Sequence, residues 1–260
     1  MTANAEGRKA AARLHRADGA EIAYRRTPGR GPGVVFLPGF RSDMTGDKAV
    51  TLETFCRARG HTYLRFDYTG HGDSSGAFTD GTIGQWAEDA VTALDALTEG
   101  PQILVGSSMG GWIMLLAALA RPARVAGLVG IAAAPDFTED LMWEPAPPTM
   151  RRALECDGVY FEPSAYSDEP TPITMALIAE GRQHLLLRRP IPLDCPVRLI
   201  HGLRDPDVPW PTAQRLAQSL TSEDVEITFV KAGDHRLSEA RDLARLTGIV
   251  GALLDHCEGR

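Results

Sequence analysis

Ser108 lies in a short glycine-flanked stretch that suits a nucleophile on a tight turn. The sequence GSSMG spans positions 106–110, directly after the apolar run ILV at 103–105 and before a helix-like run. A serine held on a strand-to-helix turn adopts a strained backbone, so the residues two before and two after it must lack bulky side chains. Gly106 and Gly110 meet that need. The context makes Ser108 a candidate nucleophile, with an ordinary glycine-serine turn as the alternative.

Two further residues follow strand-like runs and could complete an acid–base set with Ser108. Asp205 comes shortly after the run VRLI at 197–200, and His235 shortly after VEITFV at 225–230. Asp207 competes with Asp205, since aspartate commonly caps turns and one of the two is expected to do so. The order Ser, Asp, His along the chain favours Asp205 as the orienting acid and His235 as the base.

These residue types indicate acyl transfer. A serine hydroxyl is too weakly acidic to attack a carbonyl at neutral pH, so a neutral imidazole must accept its proton. An ionised aspartate behind the imidazole fixes its tautomer and stabilises the charge that forms. The oxyanion then needs two N–H donors. We expect them from the backbone of Met109, directly after the serine, and of Phe40, in the turn LPGF at 37–40.

Other motifs in the sequence add no second chemistry. The stretch GHGDSS at 70–75 imitates a dinucleotide-binding motif, but Ser75 stands where the third glycine is required, so we interpret it as a structural turn. His71 and His201 are expected to hold loops near strand ends. The sequence contains no P-loop, HExxH or metal-spaced carboxylate set, so we expect neither a cofactor nor a metal.

The elements that must position these side chains alternate between strand and helix. Six short apolar runs are typical of parallel strands buried on both faces. They lie at 34–37, 63–66, 103–105, 128–131, 197–200 and 225–230. Thr82 can cap a helix at 82–97, and the Asp18-Gly19 dipeptide predicts a hairpin at 11–26. The pattern predicts an α/β fold with a mostly parallel sheet, helices on both faces and a site at the carboxyl ends of the strands.

The alternation stops from about 136 to 190, a stretch rich in proline, methionine, leucine and aromatic residues with no clear strand. We interpret residues 1–260 as a single domain in which this stretch is a small cap insertion; a helical excursion at the sheet edge is the alternative. Its apolar residues would suit a lipid tail, and Arg41, Arg151 or Arg152 could meet an anion, with core packing and solvated surface as the alternatives. The apolar residues are Leu141, Met142, Trp143, Tyr160 and Phe161.

The composition excludes several classes of protein. With 43% hydrophobic and 23% charged residues the chain is neither disordered nor collagenous, and a net charge of -7 disfavours nucleic acid as a partner. Four widely spaced cysteines show no metal or redox spacing. No apolar run reaches the length of a membrane span or a signal peptide, so we expect a cytoplasmic protein. The sequence does not indicate an oligomeric state.

Several stretches also resemble those of one family of α/β-hydrolases. They are LPGF at 37–40, RFDY at 65–68, GPQILVGSS at 100–108, CP at 195–196 and VPW at 208–210. From about 33 to 254 the chain resembles the abhydrolase-domain mitochondrial palmitoyl-protein thioesterases, also described as mycophenolic acid acyl-glucuronide esterases. The resemblance implies the α/β-hydrolase fold and a catalytic triad at Ser108, Asp205 and His235, and it separates Asp205 from Asp207.

The resemblance further implies hydrolysis of a carboxylic ester or an acyl thioester through an acyl-enzyme on Ser108. The expected partner is a small-molecule ester or thioester, or an S-acylated protein. A ligand-binding protein or an acyltransferase on the same fold is the alternative. The sequence departs from the family in lacking a clear mitochondrial presequence, so a mitochondrial protein partner does not carry over.

Overall fold

The computed structural model describes residues 10–163 and 169–259, and its framework is one eight-stranded sheet. Ten strands occur in these ranges: β1 (Ala12–His15), β2 (Glu21–Thr27), β3 (Arg30–Leu37), β4 (His61–Phe66), β5 (Gln102–Ser107), β6 (Val125–Ile131), β7 (Val159–Glu162), β8 (Thr171–Thr174), β9 (Val197–Gly202) and β10 (Val225–Val230). The sheet order is β1-β2-β4-β3-β5-β6-β9-β10, while β7 and β8 pair with each other. Each of the six predicted apolar runs lies within a strand of the sheet.

The sheet is mostly parallel, so its strands begin together on one side of the molecule and end together on the opposite side. Every neighbouring pair from β4 through β3, β5, β6 and β9 to β10 is parallel. β1 and β2 form the predicted antiparallel hairpin, with Gly19 in its turn at a φ of 90°. We call the side at which the parallel strands end the carboxyl edge and the side at which they begin the amino edge.

Seven α-helices occur in the described ranges. They are α1 (Asp47–Arg59), α2 (Ile83–Leu97), α3 (Met109–Ala120), α4 (Pro148–Asp157), α5 (Met175–Gly181), α6 (Pro211–Ser219) and α7 (Ala240–Glu258). Thr82 caps α2 as predicted, because its side-chain oxygen accepts the Gln85 N–H at 3.3 Å. That bond satisfies one of the N-terminal donors that a helix cannot satisfy internally.

Two apolar clusters sandwich the sheet. One contains the fully buried Trp86 and Trp112, and the other contains the fully buried Leu52 and Val250. Because both faces are covered, the central strands carry continuous apolar runs rather than alternating apolar and polar residues. The predicted α/β fold with helices on both faces is confirmed.

The segment from 136 to 190 joins β6 to β9 and contains more regular structure than its sequence indicates. Its described part holds a π-helical turn (Thr138–Trp143), α4, α5 and the β7–β8 hairpin. The expectation that it has no strand is wrong. β7 and β8 have four residues each and are largely half exposed or exposed, so they lack the apolar run that marks a buried strand. The role of this segment as a cap stays a prediction.

Asp136 joins the two ends of this insertion. Its buried carboxylate accepts the N–H groups of Leu186 at 2.7 Å and Leu187 at 2.9 Å, and Arg188 donates to it at 2.9 Å. Burial raises the pKa of Asp136, and these donors oppose that rise. A buried carboxylate without such donors would be strongly destabilising. The two ends of the insertion are therefore held together by one buried side chain.

Two expectations about the whole chain concern membranes and targeting. Among the described residues, no helix combines the length and apolar character needed to cross a bilayer. The first part of the amino terminus, which has no signal-peptide run and no clear mitochondrial presequence in the sequence, lies outside the described residues, over 1–9.

Candidate active site

Ser108 lies at the carboxyl edge, on the turn between β5 and α3, with an uncommon backbone conformation. Its φ of 54° and ψ of -121° are strained for a residue with a side chain. The turn is held by hydrogen bonds from the Ser108 N–H to the Ile131 carbonyl at 2.9 Å and from the Gly111 N–H to the Ser108 carbonyl at 2.8 Å. A side chain on Gly106 would overlap the backbone of Gly110, so the predicted need for small flanking residues is confirmed.

His235 and Asp205 form a continuous chain of hydrogen bonds with Ser108. Nε2 of His235 lies 3.1 Å from Ser108 Oγ, and Nδ1 lies 2.8 Å from Asp205 Oδ2. Since Nδ1–H donates to the carboxylate, Nε2 can accept the serine proton, as a general base must. The structure thus brings together the three residues that the sequence singled out.

The surroundings of Asp205 keep its carboxyl group ionised. Burial alone would raise its pKa, but the neighbouring imidazoles of His201 and His235 and the backbone N–H of Val208 hold the pKa well below its ordinary value. The side chain is fully buried, and Oδ1 accepts the N–H groups of Asp207 and Val208, each at 2.9 Å. A carboxylate with this many donors stays charged and fixes the imidazole from behind.

Asp207, the competing acid, does not lie behind the His235 imidazole as Asp205 does. Asp207 is exposed, and its backbone N–H donates to Asp205 Oδ1. Within the described ranges, Asp205, Asp207 and His235 are the one group of possible metal ligands whose donor atoms lie within 4.8 Å of one another. A metal ion would have to displace the hydrogen bond between Asp205 and His235. The arrangement therefore suits acid–base chemistry better than metal binding.

His201 holds the loop that carries Asp205. Its buried ring donates from Nε2 to the Val208 carbonyl at 2.9 Å, and the same nitrogen lies 3.4 Å from Asp205 Oδ2. The expected loop-holding role is confirmed.

The turn at 38–42, which we call the oxyanion turn, passes directly beside Ser108. A Cβ added to Gly39 would lie 3.3 Å from the Cβ of Ser108 and 3.2 Å from the carbonyl oxygen of Ser107. The Ser42 N–H closes the turn on the Gly39 carbonyl at 3.0 Å. A larger residue at position 39 would push the turn away from the serine.

Phe40 and Met109, the two expected oxyanion donors, follow Gly39 and Ser108 in the chain. Met109 opens α3, and the first N–H groups of a helix have no acceptor within it. The helix N-terminus also carries partial positive charge, which favours a developing oxyanion. The structure places both residues next to the backbone that flanks the serine; their role as donors stays a prediction.

His71 holds the oxyanion turn from behind. Its Nε2 accepts the Arg41 N–H at 3.3 Å, and its Nδ1 lies 3.3 Å from the Thr69 carbonyl, which places the ring proton on Nδ1. Burial lowers the pKa of His71 to about 4, so the ring is neutral near pH 7 and can accept this bond. Phe78 and Trp86 each meet the ring edge at a centroid distance of 5.1 Å. The predicted loop-holding role is confirmed, and the structure identifies the turn.

Aromatic side chains that the sequence patterns do not single out surround the oxyanion turn. The ring of Phe40 lies 4.9 Å from that of Phe78 and 5.7 Å from that of Phe137. Phe137 in turn lies 5.7 Å from Trp112. Phe78 comes from the connection between β4 and α2 and Phe137 from the start of the insertion, so no local spacing links them. Together they form an apolar cluster beside the oxyanion turn.

Several insertion residues that the sequence suggests as substrate contacts pack against other parts of the insertion instead. The guanidinium groups of Arg151 and Arg182 lie 5.3 and 4.9 Å from the ring centroid of Trp143. Tyr160 and Trp143 pack against a small apolar cluster within the insertion. Phe161 differs, since it is 58% exposed. Packing therefore accounts for Trp143 and Arg151.

Backbone strain is concentrated at the carboxyl edge. Five non-glycine residues of the described ranges have positive φ, and all five lie in loops that follow strands at this edge. They are Arg41, Ser108, Ala132, Asp136 and Leu237. Such residues are uncommon, and clusters of them are typical of functional sites.

A cavity of about 700 Å³ opens at the amino edge, away from Ser108. Its lining includes Val125, which begins a strand, and the cysteines Cys195 and Cys257. Burial raises the pKa of Cys195 to about 11, so this thiol is protonated at neutral pH. The charged residues in the lining are both acids.

Comparison with known proteins gives consistent matches. Residues 34–246 match the model of the alpha/beta hydrolase family. The mitochondrial palmitoyl-protein thioesterase ABHD10 of Bos taurus is 44% identical over 243 residues, which are 93% of this chain and 79% of that protein. The solved mouse alpha/beta hydrolase domain-containing protein 10 gives a TM-score of 0.89 at 42% identity, covering 95% of this chain and 99% of that one. A chain from Agrobacterium vitis S4 assigned to the hydrolases gives 0.90 at 40% identity, covering 94% and 97%.

Proposed function

Because the chain belongs to the alpha/beta hydrolase family, we propose that it cleaves carboxylic esters or acyl thioesters through an acyl-enzyme on Ser108. The observation that carries the proposal is the unbroken chain of hydrogen bonds from Ser108 Oγ through His235 to Asp205. Similarity to palmitoyl-protein thioesterases supports the ester and thioester class.

In the first half-reaction, Oγ of Ser108 attacks the substrate carbonyl while Nε2 of His235 takes its proton. The two atoms lie 3.1 Å apart, which is within reach for that transfer. The ionised Asp205 stabilises the imidazolium that forms. When the tetrahedral intermediate collapses, the bond to the leaving oxygen or sulfur breaks, and His235 gives its proton to the departing alcohol or thiol.

In the second half-reaction, water replaces the leaving group. His235 takes a proton from the water as its oxygen attacks the acyl carbon, and returns that proton to Ser108 Oγ when the carboxylic acid departs. In both steps the N–H groups of Phe40 and Met109 would stabilise the oxyanion. Removing one such donor typically costs about 3 kcal/mol of transition-state stabilisation.

The acyl group that we propose is apolar. Phe40, Phe78 and Phe137 form an aromatic cluster beside the oxyanion turn, and Phe40 and Phe78 are only half-buried. Each buried methylene of an acyl chain contributes about 0.8 kcal/mol, so a long chain would gain affinity from such a cluster. Relatives named palmitoyl-protein thioesterases support the same choice. The acyl chain of the substrate is carried either by a small molecule or by a protein cysteine.

The test uses the purified protein and a panel of short-chain and long-chain p-nitrophenyl esters, acyl thioesters and acyl glucuronides, compared by kcat/KM. We expect steady turnover, with the highest kcat/KM for long apolar acyl groups. A burst that stops after one turnover would indicate a ligand-binding protein, and transfer to an added alcohol would indicate an acyltransferase.

Ser108→Ala is the variant that decides the mechanism. We expect its kcat to fall by about 10⁴ or more with the fold intact, because the nucleophile is lost. A fluorophosphonate probe should label the wild type and leave this variant unlabelled. Ser107→Ala makes the same substitution at the neighbouring serine and is the matched control. Near-normal turnover by Ser108→Ala would contradict the proposal.

A further inference from the structure

Arg41 belongs to two parts of the molecule at once. Its backbone lies in the oxyanion turn, with a φ of 55° and an N–H that donates to Nε2 of His71. Its side chain leaves the turn and reaches the insertion, where Nη1 donates to the Pro170 carbonyl at 2.9 Å and to Thr171 Oγ1 at 3.2 Å. The guanidinium also lies 5.9 Å from the ring centroid of Phe78. Arg41 therefore connects this turn with the start of β8.

We infer that Arg41 is a positioning residue that ties the oxyanion turn to the β7–β8 hairpin and so makes the oxyanion donors depend on the insertion. The inference rests on the proposed function, because it concerns the donors of that reaction. A positive φ at a residue with a side chain is strained, so the turn keeps its shape only where its surroundings enforce it. At Arg41 two independent contacts do so, one through the backbone and one through the side chain.

Whether Arg41 affects kcat or KM depends on whether the turn stabilises the transition state or the bound substrate. The Phe40 N–H precedes Arg41 by one residue, and it would meet the substrate oxygen most strongly when that oxygen becomes an oxyanion. A turn that shifts by a fraction of an ångström would lose transition-state stabilisation while leaving ground-state binding largely intact. Arg41 should therefore affect kcat rather than KM.

The sequence suggested another role for Arg41, contact with an anionic substrate. That role makes the opposite prediction, since a lost contact with a substrate anion would raise KM for anionic esters and spare neutral ones. The guanidinium already donates to a carbonyl and a hydroxyl of the insertion, with Glu169 at 4.0 Å. These contacts favour the positioning role.

The experiment compares Arg41→Ala, Arg41→Lys and Thr171→Val with the wild type on a neutral and an anionic p-nitrophenyl ester. It also measures inhibition by a trifluoromethyl ketone, whose adduct with serine carries an oxyanion. Arg189→Ala serves as the control, since Arg189 is an exposed arginine of the same insertion. Circular dichroism and thermal melting establish that each variant is folded.

We expect Arg41→Ala to lower kcat by roughly tenfold on both esters, with KM nearly unchanged and the ketone bound more weakly by a similar factor. Thr171→Val and Arg41→Lys should each show a smaller loss of the same kind, and Arg189→Ala none. A rise in KM confined to the anionic ester would overturn the inference, as would an unchanged kcat in Arg41→Ala.

Two outcomes separate this inference from the function on which it rests. If Ser108→Ala is inactive but Arg41→Ala keeps the wild-type kcat, only the role of Arg41 fails. If Ser108→Ala retains wild-type turnover, the proposed function fails and the inference fails with it. Should Arg41→Ala not fold, Thr171→Val decides, and an unchanged kcat in that variant would refute the connection.

Discussion

The amino edge of the sheet holds a cavity of about 700 Å³, whereas the carboxyl edge holds the hydrogen-bonded Ser108, His235 and Asp205. The cavity has volume but few groups that could stabilise a reaction, because five of its lining residues are prolines, which have no backbone N–H to donate. They are Pro32, Pro101, Pro122, Pro192 and Pro196. The carboxyl edge has a paired acid and base beside the first turn of α3. Paired side chains and available donors, rather than volume, identify the candidate site.

The largest effect that would sharpen this comparison comes from the aspartates of the carboxyl edge. Asparagine in Asp205→Asn no longer fixes the reactive tautomer of His235, so kcat should fall by about 10³ to 10⁴. Asp207→Asn alters an exposed neighbour, and kcat should change by less than about threefold. Steady-state kinetics on one p-nitrophenyl ester rank the two variants. The opposite ranking would show that Asp207 is the orienting acid.

An intermediate effect is expected at His71, which supports the carboxyl edge without touching substrate. His71→Leu removes the acceptor of the Arg41 N–H, so the oxyanion turn should loosen and kcat should fall by roughly tenfold. His71→Gln keeps an oxygen acceptor on a side chain of similar reach and should recover part of that loss. Equal losses in both variants would mean that His71 acts only by filling space.

The same residue gives a pH dependence of stability. Burial lowers the pKa of His71 from 6.5 to about 4, so between these values the unfolded chain binds a proton that the folded chain does not. Stability therefore rises with pH across this window and is lost as the pH falls. Relative to His71→Leu, the wild type should lose on the order of 2 kcal/mol of unfolding free energy between pH 7.5 and pH 5. Urea unfolding of both proteins at both pH values measures this loss. An equal change in unfolding free energy for the wild type and His71→Leu would show that the ring is not kept neutral.

The smallest effect is expected at the amino edge. Cys195→Ser and Cys257→Ser change the lining of the cavity, and kcat/KM should stay within about twofold of the wild type because the proposed reacting groups lie at the other edge. Alkylation of the wild type with N-ethylmaleimide should leave turnover equally unchanged. Inactivation that Cys195→Ser prevents would break the comparison and assign a function to the cavity.

The sheet and the three principal site residues could be predicted because their signals are local. Buried parallel strands carry continuous apolar runs, and Ser108, Asp205 and His235 each follow such a strand, so topology brings them to one edge. The choice of Asp205 over Asp207 needed the family resemblance, because both follow the same strand. The β7–β8 hairpin escaped prediction because its strands are short and only partly buried. The cytoplasmic location and the cap role of the insertion remain predictions.

The contacts that support the site could not be predicted, since they join distant and irregular segments. Arg41 and Thr171 are 130 positions apart, and neither lies in a periodic pattern that would indicate its partner. Phe78 and Phe137 meet Phe40 from two different connections for the same reason. Their contacts depend on how separate connections pack against one another and against the insertion, which the spacing of residues in the sequence does not encode.

The positive φ angles at Arg41, Ser108 and three other residues of the carboxyl edge set a limit on how this protein can be engineered. Each strained residue costs on the order of 1–3 kcal/mol, which is a sizeable share of the 5–15 kcal/mol that typically separates a folded domain from its unfolded state. Glycine at these positions would relieve strain, so a screen for thermal tolerance alone would enrich changes there. At Ser108 such a change would remove the proposed nucleophile. Selection for thermal stability and selection for turnover therefore favour different residues at this edge. Stabilising substitutions that keep activity are better sought along the helices and the amino edge.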